Sequence, residues 1–495
     1  MFRVFSGSCL TLEDMETVVR PNLVERPHIL GPGADYFTND GEPLRPQPGA
    51  HTLQKVFSGS TLDLNAFGGD AYSDEEQGEP VRTVNGQAPR QTLPVSTILN
   101  QLSSETAKER VKSVKSRTNV LVIAENGYLG SHVVAKLLKA DYSVRLATSN
   151  PVTQQQQAEL YKVMSVDVAS RLSIANVDIN NSIALRDVIR GCRYIIHCGC
   201  SNSAVDKKKG PVAYHMDAIQ ALFDGIRLAG KASVKRVVLT GAATSVFHIR
   251  DALPPSGKFD ERCWNTVANS ETDPIPYAKI VFEKEAWRLR QMLGVELVVL
   301  LPSSTIGPSR TEETSDAMMM IQGLANAPSY FPFCPKLYWN YVDVCDVAEA
   351  HVRAMESPEA KDQRIIISNA CLSLAEVSRI IKKQYPHLNP PTRSANKLLT
   401  LLIYAPQSVN LRFLWRNLGE RKPLDNRRAI EELGMQFTDI EKTIGACVEE
   451  LMAAKAVPTP NDTPEKSFVK LALVTLGMVG LVGAVGLTFL RKRKH

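Results

Sequence analysis

"NVLVIAENGYLGSHVVAKLLKADYSVRLAT", residues 119–148, decides the fold. "NVLVIA" is a short apolar run closed by a glycine-bearing turn, "YLGSHVVAKLLKA" carries the helical period, and "SVRLAT" is a second strand-like run. The same alternation continues through "SIANVDI" (173–179), "RYIIHCG" (193–199), "KRVVLTGA" (235–242) and "VELVVLLP" (295–302). Nearly continuous apolar strands separated by amphipathic helices imply a parallel sheet covered on both faces. The expected fold is therefore α/β, a doubly wound parallel sheet over residues 117–303. A smaller region follows at 304–455, with Pro-rich turns and helices such as "LAEVSRIIKKQY" (374–385).

Outward from this core the composition changes. Residues 1 to about 100 hold no sustained period and are rich in Pro, Gly, Ser, Asn and Gln, so disorder is expected there. "ETAKERVKSVKSR" (105–117) reads as a basic helical lead-in, which makes 1–116 an extension of the folded part. Within it "RVFSGSCLTL" (3–12) and "KVFSGSTLDL" (55–64) echo one another, either by chance or as a duplicated peptide that binds a protein partner bivalently. At the other end "AVPTPNDTPEK" (456–466) marks a linker spanning 456–467. The uncharged stretch "LALVTLGMVGLVGAVGLTFL" (471–490), within a span of 468–490, has the length that crosses a bilayer. "RKRKH" (491–495) follows. The expectation is a C-terminal transmembrane helix acting as a tail anchor, with the folded part in the cytosol. Gly477, Gly480, Gly483 and Gly486 permit close packing in lipid and lower the hydrophobicity. A weakly apolar anchor with a basic tail favours the mitochondrial outer membrane or the peroxisome over the endoplasmic reticulum.

The 495 residues are 44% hydrophobic and 22% charged, an ordinary globular balance with room for a large core. A net charge of +6, without a basic run interleaved with aromatics, argues against nucleic acid as a partner. Nine cysteines without a Cys-x2-Cys pair read as reduced thiols. Cys192 with "HCGC" (197–200) lacks a second ligand pair, so no metal site is expected.

In "VIAENGYLGSH", Gly127 and Gly130 stand between the first strand and the first helix, where a backbone can approach a pyrophosphate. Here the sequence resembles the extended short-chain dehydrogenase/reductases, with a Rossmann core and the fingerprint Gly-x-x-Gly-x-x-Gly. The nearest branch looks like dihydroflavonol reductases and 3β-hydroxysteroid dehydrogenases. The first glycine of the fingerprint is Ala124, and Glu125 would bring a negative charge to the cofactor turn. Further segments match in order: "ANVDINNSIALRDVIRGCRYIIHCG" (175–199), "VVLLPSSTIGPS" (298–309), "YVDVCDVAEAHVRAME" (341–356), with Cys345 where the family has arginine, and "LDNRRAIEELGM" (424–435).

The resemblance implies NAD or NADP as cofactor. Its contacts would be Ala124, Gly127, Tyr128, Leu129 and Gly130 at the turn, Ser149 after the second strand, Asp178 and Ile179 beside adenine, and Lys279 and Pro302 toward the nicotinamide. Ser149 replaces an arginine that in this branch meets the NADP phosphate, so the choice between the two cofactors stays open.

The catalytic positions depart from the family. There a tyrosine, its pKa lowered by a lysine one helical turn later, exchanges a proton with the substrate oxygen. In "SETDPIPYAKIVFEKEAWRL" (270–289) the family pattern makes Lys279 that lysine and puts Ile275 at the tyrosine position. Tyr277 is only two residues away, and none of the 13 tyrosines has a lysine four residues on. The serine position at the end of the fifth strand, in "VVLTGAATSVF" (237–247), is Ala242, preceded by Gly241. Tyr277, Thr244 and Ser245 are the candidate substitutes. The expectations that follow are a membrane-tethered NAD(P)-binding protein with weak or lost catalysis, scaffold or cofactor sensor; an active NAD(P)-dependent oxidoreductase on a lipophilic hydroxyl or keto compound; or a purely protein-binding scaffold at an organelle surface.

Overall fold

The computed structural model describes residues 114–460 apart from 116, 126, 150–169, 200–209, 231–232, 311–314, 329–331 and 405–417. The expected N-terminal arm with its repeated peptide and the apolar segment 468–490 lie outside the described residues. Among the described residues, no helix is long and apolar enough to cross a membrane.

Strand β1 (Asn119–Ile123), helix α1 (Gly127–Lys139) and strand β2 (Ser143–Thr148) form where the apolar runs place them. They are followed by β3 (Leu172–Asn176), α2 (Ser182–Ile189), β4 (Tyr194–His197), α3 (Gly210–Ala229) and β5 (Arg236–Thr240). A 3-10 turn (Ala243–Ser245), α4 (Pro274–Leu293) and β6 (Glu296–Pro302) complete this part. Local chemistry sets the ends: Asn181 caps α2 by accepting from the amides of Ile183 and Ala184, and Gly294 closes α4 at a φ of 68°.

Downstream come β7 (Ser304–Ile306), α5 (Asp316–Ala325), β8 (Phe333–Pro335), β9 (Tyr338–Asp343), α6 (Val344–Glu356) and β10 (Arg364–Ile367). Then follow β11 (Ala370–Ser373), α7 (Leu374–Gln384), β12 (Arg393–Ala395), α8 (Lys397–Tyr404), α9 (Arg427–Leu433) and α10 (Ile440–Ala453).

The main sheet has seven strands in the order β10-β6-β5-β4-β1-β2-β3, each pair parallel. Residues alternate between its faces, as the pleat requires. Leu121 and Ile123 of β1 join a core with α2, α3 and α4, while Val120 and Val122 join a second core with α1 and α6. This is the Rossmann-like α/β arrangement expected from the apolar runs.

Part of the stretch after residue 303 returns to this sheet, since β10 pairs with β6 and α6 packs on the second core. The remainder builds a separate apolar core from α5, α7 and α10, beside a three-stranded sheet in the order β11-β9-β7.

Candidate functional site

The strand order reverses between β1 and β4, because β1 is followed on one side by β2 and on the other by β4. In an open parallel sheet such a reversal leaves a crevice outside the carboxyl ends of the strands, where ligands bind. The candidate site is built from the segments that leave those ends.

The first is the turn from β1 into α1. Ala124 is buried and keeps the sheet pattern, its amide donating to the Ala147 carbonyl at 3.0 Å. It is not among the non-glycine residues with positive φ, so alanine is compatible with the backbone where the fingerprint has glycine. Gly130 explains the closeness of helix and strand: a Cβ added there would stand 2.4 Å from the Cβ of Ala124.

A Gly130→Ala variant must therefore push α1 off β1, at a cost of about 1–3 kcal/mol. Cofactor affinity should fall with it, and adding Ala124→Gly should restore part of both losses, as thermal unfolding and dinucleotide titration of the single and double variants would check.

Glu125 does not project into the crevice as an open charge. It is buried and accepts a hydrogen bond from the hydroxyl of Tyr214 on α3. The next tyrosine, Tyr128, is also buried and donates to the Gly307 carbonyl at 2.9 Å, joining the turn to the loop after β7. Burial drives its phenol far above the ordinary range, so it stays neutral. Leu129 is half-buried beside it.

The residues that the resemblance sets beside adenine lie together. Ser149, exposed at the end of β2, accepts from the Ile179 amide at 3.3 Å, and Ile179 is buried. Asp178 is exposed and accepts from the Asn180 amide at 2.9 Å. No arginine occupies the end of β2, since Arg145 within that strand is spent on the carbonyls of Val188 and Arg190 at the end of α2.

Lys279 lies in the second turn of α4, half-buried, with Ile275 one turn earlier in the same helix. Residues four apart share a face, so the helix sets an aliphatic side chain beside the lysine. Tyr277, two residues before Lys279, points about 200° round the helix and does not stand beside it.

The ammonium of Lys279 acts on two buried imidazoles. His197 ends β4 and is lowered to about 4, and His215 on α3 is lowered to about 3, in each case by burial first and then by the Lys279 charge. The ring of Phe282, one turn after Lys279, stands 5.7 Å from both imidazoles.

At the end of β5, Gly241 packs tightly: a Cβ there would meet Leu301 at 2.9 Å and Val299 at 3.1 Å. Ala242 follows in extended conformation and offers only a methyl group. Thr244 is exposed.

Ser245 must be withdrawn as a substitute for the missing serine. It is fully buried, and its hydroxyl is 2.7 Å from Glu283 Oε2 and 2.8 Å from the Ala242 carbonyl. Glu283 is in turn clamped by Arg364, whose Nε lies 2.5 Å from Glu283 Oε1 and whose guanidinium lies 3.6 Å over the Trp264 ring. Ser245 thus belongs to a buried network that fastens the 3-10 turn to α4 and β10.

Cys345, in the family's arginine position, has its Sγ 3.6 Å from Nδ1 of His132, with burial pushing the thiol up to about 11. A guanidinium reaches this place from elsewhere: Arg310 Nε donates to the same Nδ1 at 3.3 Å. Cys192 is a buried core residue 3.5 Å from the Val188 carbonyl. Among the described residues, no three His, Cys, Asp or Glu side chains are grouped to hold a metal.

Three buried polar atoms of the crevice segments find no partner among the described residues: His215 Nε2, Ser303 Oγ just beyond β6, next to half-buried Pro302, and Asn180 Oδ1 after β3. Buried polar atoms are rarely left so, and a ligand along the carboxyl edge of the sheet would supply the missing partners. These orphaned atoms, on three segments that leave the carboxyl edge of the sheet, fit a polar, elongated ligand such as a dinucleotide. Sequence reading missed His215 and Ser303. Their one local signal is a polar residue set in an otherwise apolar helix or strand end.

A family profile described as the NAD dependent epimerase/dehydratase family matches residues 120–368. Cinnamoyl-CoA reductase 2 of Arabidopsis thaliana is 27% identical over 356 residues, covering 71% of this chain and 97% of the relative. The NADPH-dependent methylglyoxal reductase of Saccharomyces cerevisiae is 24% identical over 357 residues, 68% of this chain and 98% of the relative. Among solved structures, the yeast methylglyoxal/isovaleraldehyde reductase complexed with NADPH superposes with a TM-score of 0.56 at 23% identity, covering 69% of this chain and 100% of that one, a likeness of fold. Vestitone reductase from alfalfa gives 0.54 at 18% identity, with 68% and 99% covered. The chain belongs to the NAD dependent epimerase/dehydratase family, within the extended short-chain dehydrogenase/reductases, and is of NAD(P)-binding oxidoreductase ancestry.

Proposed function

We propose that this protein binds a nicotinamide dinucleotide in the β1/β4 crevice, that its carbonyl chemistry is weak or lost, and that segment 468–490 tethers it to an organelle membrane. One observation carries the reading: the cofactor-side lysine is present, while the two proton-handling positions around it are Ile275 and Ala242. An alkyl side chain and a methyl group can neither donate nor accept a proton. A positioned acid or base is worth about 10²–10⁴ in rate, so its loss leaves binding without efficient turnover.

In this reading the amides at the start of α1, from Gly127, face the pyrophosphate, Ser149, Asp178 and Ile179 flank the adenosine, and Lys279 with Pro302 lies toward the nicotinamide. The nicotinamide group would supply or accept hydride when bound, and the protein's residues would hold it. The uncharged run 471–490 supports the tether, with the mitochondrial outer membrane or peroxisome favoured. The repeated Val-Phe-Ser-Gly-Ser peptide supports a protein partner for the N-terminal arm.

The relatives support a second reading. They are named as reductases, which favours an active NAD(P)-dependent oxidoreductase, here on a lipophilic hydroxyl or keto compound suited to a membrane-bound enzyme.

Titrating the full chain in detergent with NADH and NADPH, with tryptophan fluorescence as readout, separates these. Saturable binding is expected, weakened roughly tenfold by Lys279→Ala through loss of a charge-assisted hydrogen bond. Carbonyl turnover should be no greater in the unmodified protein than in Lys279→Ala. Turnover that Lys279→Ala abolishes would establish the second reading, and no binding at millimolar dinucleotide would end both.

A further inference from the structure

The chain runs toward its apolar C-terminal span from the small lobe built on α5, α7 and α10. The Ala456 carbonyl accepts from Asn326 at 2.7 Å, Val457 is buried in the core of that lobe, and the Pro458 carbonyl lies 3.3 Å from Nε2 of His387. Between Pro460, the last described residue, and the span at 468 stand seven residues. Fully extended, this connection reaches at most about 28 Å, against a width of about 50 Å for a folded chain of this size. A bilayer that holds 468–490 therefore lies close to this lobe.

The lobe carries a face suited to it. His387 stands in the loop between α7 and β12, and β12 pairs in parallel with β8, Arg393 opposite Phe333 and Ala395 opposite Pro335. The two strands thus end side by side, one at Lys336 and the other at the start of α8, Lys397. Lys336, Arg393 and Lys397 are exposed, and Leu398 beside them is 68% exposed. The helix reads "KLLTLLIY", one cation followed by seven uncharged residues. Charge sets this part of the chain apart as well. Residues 371–418 hold seven Lys and Arg against one acid, Glu376, an excess equal to the +6 of all 495 residues. Glu376 is itself engaged in capping α7 with Ser373.

A single exposed leucine is ordinary on a protein surface. This one stands among cations, on the lobe from which the chain departs toward its apolar span. Anionic headgroups attract such cations, and the acyl boundary beneath them takes up an apolar side chain. An acidic protein could answer the charge, but it would give no reason for the cations to lie so near the exit of the chain.

We infer that β12, Lys336 and the start of α8 form a docking face for a lipid surface bearing anionic headgroups, with Lys336, Arg393 and Lys397 among the headgroups and Leu398 in the acyl boundary. The closeness of the bilayer rests on the tether proposed above, whereas the charge and the exposed leucine do not.

The test uses the full chain, reconstituted by detergent removal into vesicles of phosphatidylcholine alone or with about a third phosphatidylserine. Flotation is scored before and after a carbonate wash. A membrane-impermeant amine reagent then reports the accessibility of each lysine by mass spectrometry. Lys336 and Lys397 should label roughly fivefold more slowly on the anionic vesicles than on the neutral ones. Lys139, at the end of α1 on the opposite edge of the main sheet, should label alike on both. Molar salt should erase the difference by screening the headgroup charge. Arg393→Glu with Leu398→Glu, at two exposed positions, should erase it too. The comparison of the two vesicle types involves no substitution, so it holds even where this variant folds poorly.

Flotation with both vesicle types that survives carbonate reports the tether. Flotation with the anionic vesicles alone, lost in salt and in the double variant, would remove the tether and leave the docking face standing. Equal labelling of Lys336 and Lys397 on both vesicle types, with the chain floating on each, overturns the docking face and leaves the tether. Absence of flotation with either overturns both.

Discussion

Arg364→Leu should destabilise the protein by about 3–5 kcal/mol, the largest loss expected from any single substitution considered, because it strands a buried carboxylate. Glu283 is 0% exposed and Arg364 is 7% exposed at the side chain. The guanidinium also donates to the carbonyls of Glu261 at 2.6 Å and Cys263 at 3.0 Å. Leucine removes all of these donors at once. Ser245 and the Trp287 indole, whose Nε1 is 3.5 Å from Glu283 Oε1, cannot neutralise the charge left behind.

A buried ion pair is often worth no more than well-packed apolar residues of similar volume. Arg364→Leu with Glu283→Leu should therefore cost much less than the sum of the single losses. Urea unfolding of the four proteins of this cycle measures it, and a loss below about 1 kcal/mol for Arg364→Leu would mean that the pair is solvated in solution. Dinucleotide affinity should fall in the single variant too, because the network fastens the Ala243–Ser245 turn to the helix that carries Lys279.

This network marks the boundary of what could be read from the chain. Six parallel strands were legible because each is a short apolar run with its own turn signals, and the burial of both sheet faces writes itself into consecutive residues of β1 and β6. The position of Lys279 relative to Ile275 and Tyr277 was legible because helical spacing alone fixes it. Other features depend on contacts that no local period encodes. The seventh strand, β10, reaches the sheet after β7, β8, β9 and α6 have intervened, and its leading Arg364 looks like a surface charge until Glu283, 81 residues away, is placed against it. Glu125 reads as an acid intruding on the cofactor turn, yet its partner Tyr214 lies 89 residues on. The orphaned Nε2 of His215 is likewise invisible in sequence, where a histidine in an apolar helix resembles any satisfied core histidine.

Introducing Ile275→Tyr together with Ala242→Ser should raise reductase activity toward a panel of aldehydes and ketones by about 10²–10⁴. The helix already supplies what a phenol at 275 requires. Lys279 is one turn later on the same face of α4, where its charge favours the phenolate and brings the group toward a usable pKa. Ile275 is half-buried near the start of the helix, so the larger ring can be accommodated without filling the core. Ala242 follows β5 directly, where a hydroxyl would hold the substrate oxygen and stabilise the charge that develops on it.

The two positions act on one oxygen, so each single variant should gain far less than the pair. Ile275→Phe with Ala242→Ser controls for shape, since it matches the ring without the phenol and should stay silent. Gain in the double variant alone means that the cofactor and carbonyl subsites have survived the loss of acid/base chemistry, which is what weak or lost catalysis on a retained scaffold requires. No gain, with dinucleotide binding intact, would locate the change in the substrate pocket and remove the argument that Ile275 and Ala242 are what limit turnover.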